Sequence, residues 1–412
     1  MPSRIDLPRR RLLRAALGSA ALAPLASLRF AQAATAGAAS DRRFVFVILR
    51  GGLDSLSAVP AVGDPDFAVA RGVLAQFAAP PLPLDSASDA GLFALHPNLA
   101  ALHAMYGRGE LAVVHAVGLP YRQRSHFDAQ QVLESGSPRP YELSTGWLGR
   151  AQSSSASASL ALATAVPLVL RGPGSVDTWA PSALPDPGAD LVARLARMYA
   201  ADPALANALE RARVLHLDGA MPADAMRAGM SDGPPAGPAR GGFVALARRA
   251  AEFLVQPAGP QVAVLDLGGW DTHANQANPN GPLANNLRQL DAGLAALREG
   301  LVAGNAWRRS VIVVATEFGR EVAVNGTLGT DHGSGGAAFV LGGPVRGGRV
   351  FGEWPGLAQR ERYEGRDLRT TTDLRAVLKG VLADHLQVPG ARLDTEVFPG
   401  SQAVKPLALL RG

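Results

Sequence analysis

Phe44-Val45-Phe46-Val47-Ile48-Leu49 runs directly into Arg50-Gly51-Gly52-Leu53-Asp54-Ser55. An unbroken apolar run rich in β-branched residues and stopped by glycines has the length and continuity of a strand buried on both faces, as in a parallel sheet. Further runs of the same kind occupy Leu111–Val117, Val166–Leu170, Gln261–Leu267, Ser310–Thr316 and Ala337–Leu341. Between them lie helical patterns over Pro97–Tyr106, His126–Glu134, Asp190–Met198, Gly242–Val255, Pro282–Val302 and Thr372–Leu386. Alternation of strand and helix predicts an α/β sandwich with a largely parallel central sheet. Ser153–Ser159, nearly all Ser and Ala, and the Gly/Pro-dense Gly229–Gly242 bracket a weaker pattern. The region from about 150 to 242 therefore reads as a cap-like insertion on one α/β core.

The N-terminus reads as an address. Arg9-Arg10-Arg11-Leu12-Leu13-Arg14 precedes a small-residue apolar stretch, and Ala31-Gln32-Ala33 offers a small-x-small cleavage site. The stretch is too short and Ala-rich to span a bilayer, so residues 1–33 are expected to be a twin-arginine signal peptide. The expected compartment is the periplasm, reached through the twin-arginine translocase, with no stable membrane span.

The chain holds 40 basic and 35 acidic residues. Arg4, Arg9, Arg10, Arg11, Arg14 and Arg29 fall before the cut against Asp6 alone, which leaves the mature protein formally neutral. Nothing in that balance suits nucleic acid. Cysteine is absent, which excludes disulfides, thiolate metal sites and cysteine nucleophiles.

Chemistry gathers where the strands end. In open α/β sheets ligands bind beyond the carboxyl ends of the strands. Asp54 follows the first run, and Ser125, His126 and Asp128 follow the second. Asp271 and His273 lie in Gly269-Trp270-Asp271-Thr272-His273, Glu317 ends a later run, and Asp331-His332 precedes the last. Carboxylates and neutral imidazoles at one rim call for a positive charge among them. A divalent metal, Zn, Mn, Ca or Mg, supplies it, with Asp54, Asp271, His273, Glu317, Asp331 and His332 as candidate ligands. Plainer roles stay open: Asp54 as a turn residue, Glu317 paired with Arg320, His126 orienting its loop. Ser125-x-x-Asp128 is a helix N-cap pattern, and it also sets a serine at the positive helix end where anions bind. Ser125 and His126 are thus the candidate catalytic pair. The chain has no P-loop, His-Glu-x-x-His or Gly-x-Ser-x-Gly.

The leader, Leu49-Arg50-Gly51-Gly52, Arg124-Ser125-His126-Phe127-Asp128-Ala129-Gln130, Gly269-Trp270-Asp271-Thr272-His273, Thr316-Glu317-Phe318-Gly319-Arg320 and Asp331-His332-Gly333 together resemble the exported bacterial family of domain of unknown function 1501. That family is similar to the alkaline phosphatase and sulfatase superfamily, which implies an alkaline-phosphatase-like α/β/α sandwich over 34–412. It also implies a two-metal hydrolase pattern. Asp54 would bind metal, Ser125 would attack, and an Asp-x-x-x-His pair would be compressed to Asp271-x-His273. An Asp-His pair would become Glu317-Phe318, whose ring cannot bind metal, and His332 would stand for a final histidine.

Two functions follow. One is a metal-dependent hydrolase acting on a small anionic phosphate or sulfate ester. The other is a non-catalytic periplasmic binding or assembly protein on a degenerate version of the same fold. A third, an esterase with Ser55 as nucleophile in Leu53-Asp54-Ser55-Leu56-Ser57, lacks the Asp-x-x-His that would complete it.

Overall fold

The structure is a computed structural model that describes residues 41–85, 91–152, 159–181, 187–217 and 242–411. The expected leader over 1–33 lies outside the described residues, as does most of the Ser/Ala and Gly/Pro stretches.

The strands are β1 (Arg43–Leu49), β2 (Leu82–Pro83), β3 (Ala94–Leu95), β4 (Leu111–Gly118), β5 (Ser159–Ala161), β6 (Val176–Thr178), β7 (Val262–Leu267), β8 (Ser310–Thr316), β9 (Gly336–Gly342), β10 (Arg349–Phe351) and β11 (Thr372–Asp373). Nine form one sheet in the order β10-β4-β9-β8-β1-β7-β5-β6, with β11 beside β4. Every pairing in it is parallel except those of β9 with β4 and β8. This is a mixed α/β protein with a mostly parallel sheet, as the alternating pattern predicts.

Helices cover both faces because side chains alternate along each strand. Val45, Val47 and Leu49 point to one core, Phe44, Phe46 and Ile48 to the other. The first core takes in Leu102 and Met105 of a helix over Ala100–Gly107, and the apolar stripes of helices over Gly242–Val255 and Pro282–Ala303. The second takes in Val132 and Leu133 of the helix over His126–Ser135, and Val377 and Leu378 of the helix over Leu374–Leu386. Trp147 anchors it, with its ring 5.1 Å from Phe46.

One expected strand is not a strand. Within Val166–Leu170, residues Leu168–Leu170 form a single 3-10 turn, buried under the second core. Pro167 precedes the turn with φ −66°, and a proline lacks the N–H that a central strand must donate. The strand beside β7 is instead β5, whose three residues pair with β7 and β6. No helix among the described residues is long and apolar enough to cross a membrane.

Candidate metal centre

The carboxyl ends of β1, β4, β7 and β8 share one rim of the sheet. Because β9 runs against its neighbours, the residues entering it arrive at that same rim. His126 on the helix after β4, Asp271 and His273 in the loop after β7, Glu317 after β8, and Asp331 and His332 in the approach to β9 therefore meet, from segments up to 206 positions apart.

Their hydrogen bonds orient the rings. His332 Nδ1 lies 2.9 Å from the Arg124 carbonyl, which can only accept, so Nδ1 carries the hydrogen. His126 Nδ1 is 2.9 Å from Glu317 Oε1, and His273 Nδ1 is 2.9 Å from Asp331 Oδ1. With the hydrogen on Nδ1 of each neutral ring, the Nε2 lone pair of His332 faces Nε2 of both His126 and His273. His332 Nε2 stands 3.1 Å from His126 Nε2 and 3.2 Å from His273 Nε2. Asp271 adds its carboxylate, with Oδ1 2.8 Å from His273 Nε2 and 3.1 Å from His332 Nε2, and Oδ2 3.5 Å from His126 Nε2.

Lone pairs at such distances repel unless a cation lies among them. For metal–nitrogen bonds of about 2.0–2.1 Å, neighbouring ligand atoms of a tetrahedral site are about 3.3 Å apart, close to the spacings seen here. His126, Asp271 and His332 each present a ligand atom within 4.8 Å of the others. His273 meets the same pair. The donor set fits a transition metal: imidazoles suit Zn better than Mn, Ca or Mg, which prefer oxygen. The group is reachable from solvent, since the side chains of Asp271 and His273 are each 43% exposed.

Glu317 and Asp331, both expected as ligands, sit one shell further out. The Glu317 side chain is fully buried and accepts from Gly51 N at 2.8 Å and Gln130 Nε2 at 3.2 Å as well as from His126. Burial alone would raise its pKa, but those bonds outweigh it and hold it below the ordinary range, while the bond from Glu317 raises His126. Asp331 accepts from Asn325 at 3.1 Å, the main cause of its lowered pKa. His126 joins the inner group instead of only steering its loop. Phe318 packs beneath, with its ring 4.7 Å from that of His126 and 5.1 Å from that of His332.

Asp54 is elsewhere. It caps the short helix over Ser55–Ala58 through Leu56 N and Ser57 N, and its other oxygen takes the Ser57 hydroxyl at 2.8 Å, Arg71 and Gln276. Burial pushes its pKa up, and Arg71, Ser57 and Gln276 more than reverse that. With every lone pair engaged, Asp54 braces the rim from behind: Gln276 Oε1 accepts from Thr272 and Thr330, which adjoin Asp271, His273 and Asp331. Ser55, on that helix, is buried.

Sequence reasoning missed two groups. Arg320 pairs with Asp271 Oδ1 at 2.5 Å, not with Glu317, and is wholly buried. Arg124 holds a positive φ of 57°, which aims its carbonyl at His332. Both stand in the quoted motifs, where nothing marks these particular roles.

Ser125 is the N-cap of the helix over His126–Ser135, with Oγ 3.5 Å from Asp128 N. Tyr121 donates to Asp128 Oδ2 at 2.8 Å.

Fold and site together define a mixed α/β protein with a His/Asp group able to hold a metal ion at the carboxyl rim of a mostly parallel sheet. The chain belongs to the family described as protein of unknown function (DUF1501), whose profile matches residues 94–388. No curated protein matches it. Similar solved structures include murine ectonucleotide pyrophosphatase/phosphodiesterase 5 as an inactive variant with AMP, at 10% identity and TM-score 0.32, over 68% of this chain. The chain spans only 57% of that protein's length. Others are the PsFucS1 sulfatase from Pseudoalteromonas sp. (12% identity, TM-score 0.42, 90% of this chain and 72% of that one) and the C-terminal periplasmic domain of EcEptC from Escherichia coli in complex with Zn (11%, 0.38, 74% and 74%).

Proposed function

We propose that this protein is a metal-dependent hydrolase of small phosphate or sulfate esters, exported on the leader over 1–33 by the twin-arginine translocase to work in the periplasm. The observation that carries the proposal is the meeting of His126, His332 and the Asp271 carboxylate within 4.8 Å of one another, with His273 against the last two. A divalent ion held there would polarise the phosphoryl or sulfuryl oxygens and neutralise their charge.

The chain's own residues supply the rest. Ser125 is the candidate nucleophile. It opens a ten-residue helix beside His126, where free N–H groups and the helix dipole favour an anion. Asp128, whose N–H points at Oγ and whose carboxylate takes the Tyr121 hydroxyl, is assigned as the acceptor of the proton leaving Oγ. Attack by Oγ on phosphorus or sulfur releases the alcohol, and water then releases the anion. Arg320 fixes Asp271, and Glu317 and Asp331 fix the rings.

A purified-protein assay with aryl phosphates and aryl sulfates tests this in the presence of Zn or Mn. We expect metal-dependent turnover, none in His332→Ala, and a fall of at least ~10³-fold in Ser125→Ala. Equal rates for Ser125→Ala and wild type would remove that residue as nucleophile.

Phe318 favours a second reading. It takes the place where the superfamily pattern has a histidine, leaving one metal position, which suits a binding or assembly protein. A metal-loaded protein inert toward every ester would support it.

A further inference from the structure

A cavity of about 100 Å³ lies behind the Asp54 brace, between the segment after β3 and the helix over Pro282–Ala303. None of the four inner residues of the metal centre lines it. Its apolar wall includes Leu74, Phe77 and Leu283, and its polar wall includes Ser57, His96 and Arg288.

Hydrogen-bond capacity on that polar wall shows what the cavity can take. Ser57 Oγ donates to Asp54 and accepts from Arg71 at 3.0 Å and Gln276 at 3.1 Å, so it has nothing left. Gln276 spends both amide hydrogens on Asp54 and Ser57 and its oxygen on Thr272 and Thr330. The Asp54 charge is already met by Arg71. His96 differs. Its Nδ1 accepts from Asn98 N at 3.0 Å, so the neutral ring carries its hydrogen on Nε2, which has no acceptor among the described residues. Burial, with Arg288 nearby, pushes its pKa down to about 4 and keeps it a neutral donor. Arg288 gives Nη1 to Pro279 O at 3.0 Å and Nη2 to Asn285 Oδ1 at 2.5 Å, leaving Nε and the positive charge. Beside the amides of Gln76, Asn98 and Asn278, what remains is the His96 N–H and one cation above an apolar wall.

We propose that this cavity is a second ligand site, binding a small carboxylate with a short apolar chain. The His96 Nε2–H and Arg288 hold the anionic end, and Leu74, Phe77 and Leu283 receive the chain. Size sets the upper limit, since an apolar cavity of about 150 Å³ takes benzene and this one is smaller. A chain of about three to five carbons matches it.

Butyrate is the probe, and histidine ring NMR on the full-length, metal-loaded protein at neutral pH is the readout. We expect saturable shifts of the His96 ring signals with butyrate and none with butylamine, which has the wrong charge. Arg288→Gln, at an exposed helix position, should weaken butyrate at least about tenfold, the scale of one charge-assisted hydrogen bond, while metal content stays unchanged. His96→Phe should abolish binding. Absence of saturable shifts in wild type, equal response to butylamine, or undiminished binding in Arg288→Gln would each overturn the proposal. Because metal content is read separately, loss of the metal centre and loss of this site are distinguishable.

Discussion

Each rim imidazole gives its Nδ1 hydrogen to a fixed acceptor: Glu317, Asp331 or the Arg124 carbonyl. The tautomer with its hydrogen on Nδ1, which each acceptor favours, aims the Nε2 lone pair inward. A carboxylate behind a ligand histidine also raises the ligand's basicity. Glu317→Gln keeps shape and removes charge, and should weaken metal binding about 10–100-fold, read by competition with a chromogenic chelator. An unchanged affinity would mean Glu317 does not orient a ligand. Asp54 makes a different prediction. Arg71 is fully buried against it, so Asp54→Asn strands a guanidinium and should cost about 3–5 kcal/mol, seen in denaturant unfolding. The Asp54 pKa is lower folded than unfolded. Its contribution is therefore complete above the ordinary aspartate range and fades as pH falls through the folded-state value, a loss the Asn variant should not show.

At the scale of elements, one reversed strand builds the site. Were β9 parallel, its approach loop would lie at the opposite rim, with Asp331 and His332 far from His126. The turn after β1 does similar work. Gly51 has φ +119°, and a Cβ there would come within 2.6 Å of Asp271 N. Gly51→Ala should therefore displace the Asp271 loop and lower metal occupancy while circular dichroism stays near wild type; full occupancy would refute the close approach.

The strands β1, β4, β7, β8 and β9 were legible because sheets buried on both faces write themselves as unbroken apolar runs. Val166–Leu170 misled for the same reason, since a buried 3-10 turn leaves the same trace. Ser159–Ala161 was hidden because three residues are too few to show a periodicity. At the rim, residue types and strand ends brought out Asp271, His273, His332 and His126. Their division into inner and outer shells was not legible, because it depends on which ring nitrogen each acceptor claims across some 200 positions of chain.

For the whole molecule, two apolar cores hold nine strands in register, and the rim lies where they open to solvent. A metal bound there links helices and loops from both halves of the chain, so binding should add to folding stability by mass action. The central claim is that His126, His332 and Asp271 hold one ion, with His273 beside them. Elemental analysis of protein purified without chelator, then reloaded with Zn, tests it most directly. One ion per chain, a raised melting temperature, and loss of both in His332→Ala are the expected results. A chain that takes up no ion, or whose ion survives loss of His332, contradicts it.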